Sequence, residues 1–114
     1  MAPLSQQETC VLFVHLKFKS DEDVSRFADI FKPMTDYVKE KEPGHTYAYK
    51  LLKSESDPLH LTIYERYENR AYWKDVHEQS QAYKDFVQRM KDAKLEPEMD
   101  VQVFYETDIG HMCG

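Results

Sequence analysis

Tyr64, Glu65, Tyr67, Trp73 and His77 crowd into one short stretch, and each can hold a proton or stack on a ring. A free histidine titrates at about pH 6.5, so His77 can take or give a proton near neutrality. Glu65, if buried, must be paired or protonated. A pocket lined by these side chains would be aromatic with a few ionisable groups, which suits a small, flat, partly apolar molecule. Tyr47 and Tyr49 are further candidates for stacking on such a ligand. Each has a structural alternative. His77 could bond a backbone group at a helix bend, Glu65 could pair with a nearby Lys or Arg, and an aromatic stripe is ordinarily core. His15 and His60 alternate with apolar strand residues and could face an interface or solvent.

The stretch changes period as it runs. Leu59, Leu61 and Ile63 alternate with His60, Thr62 and Tyr64, as in a strand over 59–67. From Asn69, a plausible N-cap, the apolar spacing becomes helical: Tyr72 and Val76, then Tyr83, Phe86, Val87 and Met90. This predicts a helix to about residue 93. Ser80 is placed to cap a second segment, with a bend at 78–80.

The remaining elements follow from the same rules. Residues 10–18 read as a strand apolar on both faces, with Leu12, Val14 and Leu16 opposite Val11 and Phe13. Ser20-Asp-Glu-Asp23 opens a helix with a cap and three acids at the positive end of its dipole. Val24, Phe27, Ala28, Phe31, Met34 and Val38 form its apolar stripe. Pro33 should kink or split it near residue 32, and Pro43-Gly44 stops it. A second strand, 45–53, places Tyr47, Tyr49 and Leu51 on one side, and a turn at 54–58 makes a hairpin with 59–67. A last strand runs over 100–107. Residues 1–9 and 108–114 read as tails around one domain, 10–107.

The order β-α-β-β-α-β is that of ferredoxin-like α+β domains. It predicts a four-stranded antiparallel sheet with both helices on one face. The other face is also apolar, and an uncovered apolar sheet face is normally an interface. Sheet-to-sheet pairing as a homodimer is the economical solution.

Composition limits the partners. The chain has 114 residues and a net charge of −6, with no basic cluster, so nucleic acid is not expected. No apolar run reaches membrane-spanning length, and the N-terminus lacks the pattern of a secretory leader. Cys10 and Cys113 have no metal-ligand spacing and read as reduced, in a cytoplasmic protein. His77-Glu78 lacks the second histidine of a helical zinc pair, and three glycines leave no phosphate loop or dinucleotide fingerprint. No cofactor is expected.

Several short motifs resemble the antibiotic biosynthesis monooxygenase domain family. They are Glu42-Pro43-Gly44 followed by Tyr47 and Tyr49, Tyr64-Glu65-Arg66-Tyr67 at a strand end, Ala71, and His77-Glu-Gln-Ser80 followed by Tyr83 and Phe86. The resemblance covers about residues 10–107. It implies a dimeric α+β barrel, with members that include cofactor-independent quinol or anthrone oxygenases, haem-degrading oxygenases and an isomerase. The haem-degrading branch needs an Asn in the first strand, a Trp ending the third and a His beyond the helical Ser. Val14, Tyr67 or Arg66, and Val87 or Phe86 stand there instead.

The resemblance implies a monooxygenase of a small aromatic, quinol- or anthrone-like substrate, without metal or flavin. His77 would be the base or proton shuttle and Glu65 its partner. Tyr64, Trp73, Tyr67, Tyr47 and Tyr49 would bind substrate. The alternatives are a non-catalytic ligand-binding or assembly module of the same fold, or an isomerase using the same His and Glu.

Overall fold

The computed structural model describes residues 4–112. The order is β1 (Gln6–Lys17), α1 (Asp21–Lys41), β2 (Thr46–Lys53), β3 (His60–Tyr67), a π-helical turn (Tyr72–His77), α2 (Gln81–Asp92) and β4 (Glu98–Thr107). The strands form one antiparallel sheet in the order β2-β3-β1-β4, the ferredoxin-like arrangement.

β1 starts four residues earlier than its apolar pattern does. Residues 6–9 are polar and belong to a strand rather than to a tail. The reason lies in the partner: β4 runs on to Thr107, which pairs with Gln6 beyond an irregularity in the register. Backbone pairing of this kind leaves no mark in side-chain periodicity. Residues 1–3 and Cys113 lie outside the described residues. Cys10 is a free, buried thiol, and burial pushes its pKa up.

α1 is capped as expected, with Ser20 Oγ accepting from the Asp23 N–H at 3.1 Å. It is neither split nor ended at Pro33. Proline in a helix interior costs about 3 kcal/mol. Phe27, Phe31, Met34 and Val38 are all buried against the sheet, and each contributes about 1.5–3 kcal/mol. Packing on both sides of the proline therefore outweighs the defect. Ala28, placed on the stripe by its spacing, faces outward.

Between Asn69 and Ser80 the chain departs from a plain α-helix. The Glu78 N–H bonds the Trp73 carbonyl at 3.0 Å, a five-residue span. Asn69 Oδ1 accepts from the Tyr72 N–H at 2.7 Å, as its capping role requires. The wider turn shifts the inward face. Trp73 and His77 are buried, while Val76, apolar and expected inside, is exposed. Ser80 caps α2 by accepting from the Tyr83 N–H at 3.2 Å, and it donates to the His77 carbonyl at 2.8 Å.

The helices cover one face of the sheet. Leu12, Val14, Leu16, Leu61 and Ile63 form the sheet's share of the core, beneath Phe27, Phe31, Met34 and Val38. The other face carries Phe13 stacked on Tyr64 at 5.4 Å and edge-on to Phe104 at 5.8 Å. Beside them Arg66 holds Glu106 through two bonds of 2.5 and 2.9 Å and lies 5.0 Å over the Tyr47 ring.

Candidate functional site

A cavity of about 650 Å³ opens between the sheet and the helices. Its buried polar groups gather at one end. β3 contributes Glu65, which pairs across the sheet with Tyr49 of β2 and Leu12 of β1. The π-helical turn contributes Trp73 and His77, and α2 contributes Tyr83 and Phe86. All but Leu12 and Phe86 carry a proton-bearing polar group.

His77 is 1% exposed. Its Nδ1 lies 3.0 and 3.1 Å from the two carboxylate oxygens of Glu42, itself buried. A carboxylate only accepts, so Nδ1 carries the proton and Nε2 of the neutral ring is left as the acceptor. Among the described residues Nε2 has no hydrogen-bond partner. Around the ring stand Tyr49, Tyr67 and Tyr83, at centroid distances of 5.1, 5.2 and 5.7 Å. This is a histidine oriented by one acid, with its basic nitrogen unused.

In the sequence Glu42 stands only in the family-like Glu42-Pro43-Gly44 motif, with no role of its own. The structure makes it, and not Glu65, the direct partner of His77. Helix geometry explains its position, since Glu42 extends the buried series 34, 38 by one further turn. The chain then reverses at Gly44, whose φ of +85° suits glycine. Thr46 follows, its hydroxyl donating to Glu42 Oε1 at 2.5 Å. An acid on the apolar stripe is the signal that could have found it.

Glu65 bonds elsewhere: the Tyr67 hydroxyl donates to its carboxylate. Burial pushes the Glu65 carboxyl up to about 7, against the opposing pull of that hydrogen bond and of nearby His77. Burial also raises Tyr49, Tyr67 and Tyr83. All three phenols therefore keep their protons near neutrality and serve as donors.

The remaining sequence candidates divide. Tyr49 and Trp73 line the cavity, and Tyr67 supports it from beneath through Glu65. Tyr64 and Tyr47 stand on the opposite face of the sheet. Tyr64 neighbours Glu65, and adjacent strand residues point to opposite sides. Tyr47 sits at a register shift between Thr46 and Ala48, which takes it off the side of Tyr49 and over to Arg66. His15 and His60 also meet on that face, with Nδ1 of His15 3.2 Å from Nε2 of His60 and 2.9 Å from the Thr62 hydroxyl. Among the described residues, no cluster of three His, Cys, Asp or Glu could hold a metal ion. No helix among them is long and apolar enough to cross a membrane.

Solved structures share this fold. A candidate antibiotic biosynthesis monooxygenase of Caulobacter crescentus CB15 superposes with a TM-score of 0.74 at 19% identity, over 88% of this chain and 91% of that one. A protein of Mycobacterium tuberculosis gives 0.73 at 17%, over 90% and 99%. A conserved protein of unknown function from Bacteroides thetaiotaomicron VPI-5482 gives 0.69 at 17%, over 88% and 99%. No curated protein sequence matches the chain. The profile of the antibiotic biosynthesis monooxygenase family matches residues 9–89, a span that contains Glu42, Glu65, Trp73 and His77. On that match, the chain belongs to the antibiotic biosynthesis monooxygenase family.

Proposed function

We propose that this chain is a cofactor-independent monooxygenase of a small aromatic substrate of quinol or anthrone type. The observation that carries the reading is the unpartnered Nε2 of His77, in a largely apolar cavity, on a ring oriented by Glu42. Such chemistry starts by taking a proton from an acidic O–H or C–H of the substrate. The anion then passes one electron to O₂, and the radical and superoxide recombine to form a C–O bond. In an anthrone, loss of the second C–H proton breaks the O–O bond. A ketone forms and water leaves, so both oxygen atoms are accounted for. His77 is the base, Tyr49 and Tyr83 are donors toward the developing oxyanion, and Trp73 is a wall for the ring.

The test is oxygen consumption with a panel of hydroquinones and anthrones in the presence of a metal chelator. The expected result is uptake above the uncatalysed rate, unaffected by the chelator. Uptake that the chelator abolishes would overturn the metal-free reading. One observation favours a second reading. A carboxyl titrating at about 7 near a free imidazole nitrogen is an acid–base pair, which suits an isomerase. Substrate turnover without oxygen consumption would support that instead.

The apolar outer face of the sheet supports pairing of two copies as a homodimer, through Phe13, Tyr64 and Phe104. Light scattering should give twice the chain mass. Phe104→Glu, at a half-exposed position, should give a monomer that keeps its far-UV circular dichroism. A wild-type monomer at micromolar concentration would exclude this pairing.

A further inference from the structure

The cavity does not end at its polar groups. β1 passes beneath it from Leu12, opposite Glu65, to Leu16, opposite Leu61 and Met99. Four strand residues span about 13 Å. Along that distance the lining changes character. Around Glu65 and His77 it is aromatic. At the Leu16 end it is mainly aliphatic, formed by Leu16, Met90, Leu95, Pro97, Met99 and Val101, with Phe27 of α1, 5.2 Å from Phe18, as its aromatic member. The only charged groups there, Lys91 and Glu96, are both exposed.

This far end is built by the chain and left open by it. Lys94 adopts a left-handed φ of 54°, and the Leu95 N–H bonds the Met90 carbonyl at 3.1 Å. The turn buries Leu95 and swings the connector across to β4. On β4 the residues facing the helix side are not covered by either helix: Met99 is 67% exposed and Val101 44%. A row of apolar side chains that lines a cavity and continues into solvent is a channel for an apolar chain. Met90 and Met99 are flexible enough to fit a chain of changing shape.

Resting on the oxygenase reading above, we infer that the substrate is a hydroquinone carrying an aliphatic tail. The ring sits between Trp73 and His77, and the tail runs over Leu16 and leaves beside Met99. A fused polycycle such as an anthrone would leave the row from Leu16 to Met99 without a matching chain.

Trp73 is the single tryptophan and lines the ring end of the cavity, so its fluorescence reports binding. The experiment titrates the full chain, without oxygen, with hydroquinones bearing straight tails from methyl to decyl. Affinity should rise about three- to fourfold per methylene, then level off once the tail passes Met99. In Met99→Glu and Val101→Glu, both at exposed positions, the gain per methylene should fall below about 1.5-fold, since a buried charge repels hydrocarbon. Affinity independent of tail length, or a slope unchanged in both variants, would overturn the inference. So would tighter binding of a tricyclic anthrone than of every tailed hydroquinone. Loss of a wild-type dimer in these variants, with the slope unchanged, would assign the flank to a second copy instead. The two readings fail separately. A flat slope with oxygen consumption intact removes the tail alone. A steep slope shared by alkyl benzenes lacking hydroxyls, without oxygen consumption, keeps the channel and removes the oxygenase.

Discussion

Replacing His77 with alanine is expected to lower kcat for the proposed oxygen consumption by about 10²- to 10⁴-fold, the usual contribution of a positioned general base. The physical basis is that His77 Nε2 is an acceptor with no internal partner, on a ring fixed through Nδ1. A complication must be met in the same experiment. Removing the imidazole leaves the buried Glu42 carboxylate with the Thr46 hydroxyl alone, and a lost hydrogen bond to a buried charged group costs about 1.5–3 kcal/mol. His77→Gln avoids this, because its amide donates to Glu42 but is no base. It should fold like the parent and be as inactive as His77→Ala. Glu42→Gln should lower the rate in the same direction by a smaller factor. Its amide can donate to Nδ1 and so favours the wrong tautomer. Full activity in His77→Gln would remove the base from this position.

Glu65 should make the fold depend on pH more steeply than its surface carboxylates do. Its folded-state pKa of about 7 lies above the ordinary value of 4.5. A carboxyl raised in this way holds its proton more tightly when folded. The stability it contributes is full below the unfolded pKa and is lost as pH rises through about 7. The difference is worth about 3 kcal/mol. Urea unfolding of the wild type and of Glu65→Gln, at intervals between pH 4.5 and 8, measures it. The wild type should lose about 3 kcal/mol relative to the variant across that range. Parallel curves would mean that Tyr67 and His77 keep Glu65 ionised throughout.

The element order and the phase of β1, β3 and β4 were legible because both rest on local periodicity. So were the caps at Ser20 and Ser80, and the inward position of Glu65. Alternation also had the means to exclude Tyr64. A strand cannot aim two successive residues into one cavity, so choosing Glu65 places Tyr64 on the far side. Tyr47 was not recoverable in this way, since a bulge resets the phase without any glycine or proline to announce it. Glu42 was hidden by its role in ending α1. What makes it part of the site is the meeting of α1 with the π-helical turn, 35 residues away in sequence. The split that Pro33 suggested does not occur, because the cost of a proline is local, whereas the burial that outweighs it is tertiary.

The π-helical turn has a consequence for how this site is inherited. It holds one residue more than an α-helical turn needs, and that surplus is what rotates His77 onto Glu42. Loss of a single codon between Tyr72 and His77 would turn the imidazole by about 100° around the helix axis. The strands, the caps and α2 would all remain encoded. In this chain the meeting of His77 with Glu42 and the fold that holds it are written one codon apart.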